Sequence, residues 1–150
     1  MSRTDTLRDL ESEVGVLIRR VRRVIGERAR LVHPDLQPAS YLILTTIAQG
    51  EPVRASAISE LFEVDKGAIS RQVKHLVELE LLTHEKDPAD ARATLLSVTD
   101  EARTRMADVT EHRQKQLGEK LADWSDDDLS SFVAQLSRYN RALNATDPQA

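Results

Sequence analysis

The sequence predicts a mainly α-helical chain with one small β-hairpin, and three observations carry that reading. Apolar residues recur at spacings of three and four over most of the 150 residues, the helical period. Between residues 53 and 82 this period runs through two short segments separated by a tight turn. Directly after them, two short β-prone segments flank Asp87-Pro88-Ala89-Asp90, a tetrapeptide with strong turn chemistry. Two helices joined by a turn and followed by a hairpin make a winged helix-turn-helix, here flanked by long terminal helices.

The first of those long helices is expected from residue 6 to about residue 31. Leu7, Leu10, Val14, Leu17, Ile18, Val21, Ile25 and Leu31 form its apolar stripe. Arg19, Arg20, Arg22, Arg23, Arg28 and Arg30 crowd the remaining surface. They read as a solvated face paired with Glu13, Glu27 and neighbouring acids; a second nucleic-acid site is the alternative. His33 to Pro38 is a linker, and Pro38 suits the first turn of the next helix, where a missing N–H is harmless. That helix, Ala39 to Ala48, carries Tyr41, Leu42, Leu44 and Ile47 and stops at Gln49-Gly50-Glu51-Pro52.

The centre of the chain is the stretch Val53 to Leu82. Ile58, Leu61 and Phe62 line a short helix, Val64 is expected to plug the turn, and Asp65 is a suitable N-cap for the second helix. Ile69, Val73, Leu76 and Val77 fall on one face of that second helix, with Leu79, Leu81 and Leu82 at its far end. The other faces carry Lys66, Ser70, Arg71, Gln72, Lys74 and His75, with no acidic side chain between Lys66 and His75. Any amphipathic helix keeps polar residues outside, so this pattern alone also fits an ordinary solvated surface. A DNA-reading helix adds a cationic front to an anchored apolar back, and the hairpin favours that reading. Arg92 follows the hairpin turn, with Asp90 two residues before it as its expected orienting partner. A cation there suits a minor groove, where narrow A·T segments concentrate negative potential.

Thr99 reads as the N-cap of a second long helix, with Asp100 and Glu101 favourable against the helix dipole. Its apolar positions are sparse (Met106, Val109, Leu117, Leu121) on the way to Trp124. Ser125 to Asp128 resembles a capping box that opens a last helix with Leu129, Phe132, Val133, Leu136, Tyr139 and Leu143. Residues 144 to 150 read as a frayed tail. The whole is expected to be a single domain in which residues 38–98 form the reading lobe, and 6–31 with 99–145 a helical dimerisation region. Leu7, Leu10, Val14, Leu129, Phe132, Leu136 and Leu143 are the candidate contacts with a second copy; packing of the same stripes within one chain is the alternative.

Composition narrows the function. The formal net charge of −4 and pI of about 5.6 argue mildly against nucleic acid as a whole-chain property. Screening restricts charge effects to about 8–10 Å at physiological salt, so the local cationic face matters more. Asp126-Asp127-Asp128, Glu111, Glu119 and Asp123 place much of the acid towards the C-terminus, away from that face in sequence. The chain has no cysteine, which excludes disulfides, thiolate metal sites and thiol redox sensing. His33, His75, His84 and His112 lack the short spacings of a metal motif, and no phosphate-cradling glycine loop or nucleophile elbow occurs. No enzyme activity and no cofactor are expected. No apolar run approaches the roughly 20 residues of a membrane span, and no apolar signal core opens the chain. A cytoplasmic protein without membrane contact is the expectation.

The run from Ile58 to Arg71, then Leu76 and Leu81-Leu82, then Asp87-Pro-Ala-Asp90-Ala-Arg92 and Val98-Thr99 resemble the multiple-antibiotic-resistance regulator (MarR) family of winged-helix transcription factors. The resemblance extends through the flanking helices, and the Asp-x-Arg of the wing is its most specific part. It implies a DNA-binding transcriptional regulator, a repressor on a pseudo-palindromic operator, formed as a homodimer by interlocked terminal helices. It also implies release by a small aromatic or anionic ligand, for which His33 and Tyr41 are candidate pocket residues. Arg71 and Gln72 are the candidates for base edges, since arginine grips guanine and glutamine grips adenine bidentately. Lys66, Ser70, Lys74 and His75 are candidates for phosphates, and Arg92 for the wing contact. The alternative is a dimeric winged-helix interaction module without specific DNA binding. Four departures stand out. Glu63 and Glu80 replace turn glycines, Ala102 stands where glycine is frequent, and Arg54 replaces a helix-capping hydroxyl that Ser56 could substitute.

Overall fold

The computed structural model of the chain describes residues 1–144. Its elements are α1 (Arg3–Val32), α2 (Pro38–Gly50), β1 (Val53–Arg54), α3 (Ala55–Phe62), α4 (Lys66–Glu78), β2 (Leu82–Asp87), β3 (Asp90–Val98), α5 (Asp100–Lys120) and α6 (Asp126–Asn144). The fold is the expected winged helix-turn-helix with long terminal helices. The last helix runs through residue 144, and the rest of the expected tail, residues 145–150, lies outside the described residues. By its internal contacts the chain divides into a first compact unit, Met1–Thr110, and a second that begins at Glu111.

In the first unit, Val32, Leu44, Ile47, Ile58, Leu76, Leu81, Leu82 and Leu96 are fully buried. They come from α1, α2, α3, α4 and the sheet, so a single core ties both helices of the helix-turn-helix to the wing. From α1 only the last turns enter it, through Ala29 and Val32. The hairpin is part of a three-stranded antiparallel sheet in the order β1-β3-β2. Val53 and Arg54 pair with Leu96 and Leu95 of β3. Two residues are too few to show alternation, so this strand gives no signal in the sequence.

The ends of the helices are held by local chemistry. Ser2 and Asp5 form a capping box on α1, and Ser125 and Asp128 form the expected one on α6. Asp65 caps α4 as expected, its Oδ1 accepting from the backbone N–H groups of Gly67 (2.8 Å) and Ala68 (3.1 Å). A Cβ at Gly67 would stand 2.9 Å from that same oxygen, so the glycine makes room for the cap. Arg54, at the N-cap of α3, makes no side-chain capping bond, and Ser56 does not supply one in its place.

Both turn glutamates are left-handed, Glu63 with φ 52° and Glu80 with φ 59°. At Glu80 the backbone forms a Schellman motif: Glu80 N–H donates to Val77 O and Leu81 N–H to Leu76 O, each at 3.0 Å. Glu63 and Val64 repeat the pattern at the end of α3, donating to Glu60 and Ser59 at 3.3 Å. Those backbone bonds close the turn, and Val64 is not the expected plug: it stays 38% exposed. A left-handed L-residue costs about 1–2 kcal/mol, and glycine returns about 0.5–1 of that as chain entropy. Glu80→Gly is therefore expected to stabilise the fold by roughly 0.5–1 kcal/mol. Urea melts with an unchanged slope and a higher midpoint are the expected observation; a lower midpoint would mean the left-handed turn is not strained.

Two further side chains lock the first unit. Thr99 Oγ1 accepts from Ala102 N–H (3.1 Å), as an N-cap should, and donates to Glu80 O (2.8 Å). Glu51, in the breaker after α2, accepts from Val98 N–H (2.7 Å) and from Arg103 (2.6 Å).

The stripe of α1 upstream of its last turns is uncovered in the single chain. Leu7, Leu10, Leu17, Ile18 and Val21 are 40–49% exposed, and Val14 is half-buried. In the second unit Phe132, Leu136 and Leu143 are exposed and Leu129 is half-buried. Trp124 and Phe132 meet edge to face at 5.6 Å. No helix among the described residues is long and apolar enough to cross a membrane.

Candidate nucleic-acid interface

The apolar back face of α4 fixes which side chains point outward. Ile69 and Leu76 are buried and Val73 and Val77 half-buried, so Lys66, Ser70, Arg71 and Lys74 are left exposed. The start of α4, the start of α3 and the tip half of β3 enclose an open groove of about 360 Å³. Lys66 and Ser70 line it from α4, Ser56 from α3, Arg92 and Asp90 from the wing, and Arg54 from β1. Among the described residues, Lys66, Arg71 and Arg92 form no ion pair, and Lys74 reaches Glu78 only at 3.9 Å. A groove with unpaired cations on opposite walls suits a polyanion, whose phosphates would supply the missing partners.

Gln72 and His75 sit differently from the rest. Gln72 is half-buried, and its Oε1 accepts from the buried Ser40 hydroxyl of α2 at 3.1 Å. His75 Nε2 lies 3.3 Å from Asp35 O in the linker. Both side chains lie on the flank of α4 that faces α2 and the linker. Asp90 holds Arg92 through the backbone: its Oδ1 accepts from the backbone N–H of Arg92 at 3.0 Å, and among the described residues the guanidinium forms no ion pair.

Asp87 opens the wing turn and is buried among exposed neighbours. Its Oδ1 accepts from Ala89 N–H (2.8 Å) and its Oδ2 pairs with Arg54 (2.5 Å). The Ala89 N–H holds this carboxyl below the usual carboxylate range; burial opposes that shift and Arg54 adds to it.

Neither candidate pocket residue lies in the groove. Tyr41 belongs to the core, and His33 Nδ1 accepts from Asp35 N–H at 3.1 Å in the linker turn. Among the described residues no three His, Asp or Glu side chains gather as metal ligands. Among the groove residues that the sequence did not single out as contacts are Arg54, Ser56, Ser59 and Thr94. Arg54 reaches the wing only because β1 pairs with β3, a long-range fact without a local signature.

Residues 35–93 match the model of the MarR family. Over 134 residues the chain is 28% identical to the uncharacterized HTH-type transcriptional regulator YxaD of Bacillus subtilis (strain 168), covering 89% of this chain and 92% of that protein. Among solved structures, Streptococcus pneumoniae FabT in complex with DNA superposes with a TM-score of 0.77 at 16% identity, covering 94% of this chain and 99% of that one. An E. coli MarR mutant complexed with operator DNA gives a TM-score of 0.68 at 17% identity, covering 93% and 99%.

Proposed function

We propose that this chain, whose residues 35–93 match the MarR family model, is a transcriptional regulator that binds duplex DNA as a homodimer and represses from a pseudo-palindromic operator. The observation that carries the reading is the groove in which Lys66 and Ser70 of α4 face Arg92 of the wing, with no ion pair on either cation. The two fold neighbours solved with DNA add support. In this reading α4 enters the major groove and Arg92 the adjacent minor groove. Lys66, Ser70 and Lys74 bind phosphates, and Arg71, the exposed arginine in the middle of α4, reads a base edge.

Gln72 has a smaller part than its residue type suggests. Bidentate recognition of adenine uses both its oxygen and its nitrogen, and the oxygen already accepts from Ser40. Gln72 and His75 then hold α4 against α2 and the linker. The uncovered stripes of α1 and α6 supply the dimer contacts, Leu7, Leu10 and Val14 on one and Leu129, Phe132, Leu136 and Leu143 on the other. A two-fold axis sets the two reading helices about one DNA turn apart. Release by a small aromatic or anionic ligand belongs to the same reading. Such a ligand frees DNA by binding the wrongly spaced form more tightly than the DNA-competent one.

Selection from a random duplex pool, followed by a salt titration, tests the proposal. An inverted repeat with half-sites about 10 bp apart and affinity falling steeply with salt is the expected result. No enrichment at about 50 mM salt would overturn it in favour of an interaction module, the reading that the acidic pI favours. On the selected site, Arg71→Ala is expected to cost about 1–3 kcal/mol of binding and to relax one base-pair position. Equal weakening on every sequence would remove its base-reading role.

A further inference from the structure

We propose that Arg54 is a positioning residue for the wing, holding the hairpin tip so that Arg92 meets DNA already oriented. This rests on the DNA-binding reading above. Arg54 stands in β1, at the base of the sheet, paired in register with Leu95. Its guanidinium reaches from there to Asp87, where the wing turns. Asp87 divides its two oxygens, one to Arg54 and one to Ala89 N–H inside the turn. A single buried carboxylate thereby joins the shape of the turn to its attachment on β1. From the turn the constraint passes to Asp90, whose carboxylate holds the backbone N–H of Arg92.

The tip needs such a hold. The β2–β3 register shifts between Lys86 and Asp87, so regular ladder bonds stop short of the turn. The residues from Thr83 to Lys86 are exposed, and no apolar packing reaches the tip from β2. Arg54 also makes no capping bond for α3, although it occupies the N-cap. The side chain at this position caps nothing and instead holds the wing turn. A wing ordered in advance spares the complex the entropy of ordering it on binding, about 0.5–1.5 kcal/mol for each immobilised side chain, a two- to tenfold effect on affinity.

A double-mutant cycle on the selected duplex separates this role from direct contact and from general destabilisation. Arg54→Met is expected to weaken binding about two- to tenfold in the wild-type background and to add nothing in an Arg92→Ala background. Equal losses in both backgrounds would overturn the proposal, because Arg54 would then act independently of Arg92. Hydrogen exchange of the free protein gives a second readout. The Ala89 and Arg92 amides should exchange faster in Arg54→Met and in Asp87→Asn, with α1 unchanged, and Arg54→Lys should restore most of the protection. Unchanged wing exchange in both variants would overturn the clamp. If the wild type selects no duplex, the DNA reading and the role inferred from it both fall, while exchange still shows whether the clamp exists.

Discussion

Leu76→Ala should lower the unfolding free energy by about 2–5 kcal/mol, the range for emptying a leucine site that cannot collapse. Leu76 has no exposed surface, and it occupies two structural roles at once. With Ile69 it anchors the back of α4 in the core. Its carbonyl also accepts from Leu81 N–H in the Schellman motif, whose usual apolar contact would join these two buried side chains. The cavity would therefore open beneath α4, at the end where its geometry is set. Urea unfolding followed by circular dichroism measures the effect through the midpoint and slope. A loss below about 1 kcal/mol would show that the core closes over the site, and that α4 is anchored elsewhere.

Glu51→Ala should cost about 1.5–3 kcal/mol, the scale of hydrogen bonds to a charged group, because it strands Val98 N–H and frees Arg103. The effect carries a pH signature. Burial raises the Glu51 pKa, but the Arg103 bond and the Val98 N–H outweigh it and hold the carboxyl below its ordinary value of 4.5. The folded pKa lies below the unfolded one, so the stabilisation is full above the ordinary value and disappears as pH falls through the folded value. The stability gap between wild type and Glu51→Gln should be largest near neutral pH and shrink in acid below 4.5. Comparing the two proteins cancels the other lowered carboxyls, Asp5, Asp87 and Asp128. A gap that is constant with pH would mean the Glu51 charge contributes nothing to folding.

Local chemistry was legible in the sequence, and long-range chemistry was not. The N-caps at Asp65 and Thr99 and the capping box at Ser125 all depend on residues within a few positions of one another, whereas the left-handed turns at Glu63 and Glu80 were suggested only by the family resemblance. Periodicity likewise identified the back face of α4, because burial there follows the helical repeat. Gln72 lies at the edge of that repeat, where the wheel cannot separate a groove-facing amide from one bonded to Ser40, 32 residues away. Val64 failed as a plug because apolar character alone does not bury a residue when backbone bonds already close the turn. Arg54–Asp87 and Glu51–Arg103 span 33 and 52 residues, and nothing near either partner announces the other.

Thr99 now bears on which sequences this fold can accept. Its one hydroxyl accepts from the first turn of α5 and donates to the carbonyl that ends the Glu80 turn. Aspartate or asparagine could cap α5, yet a carboxylate has no proton for Glu80 O, and an amide would turn its donor away from the carbonyl when its oxygen caps. Valine keeps the shape and does neither. Serine alone retains both bonds, so the junction between α4 and α5 confines this position to two of the twenty residues.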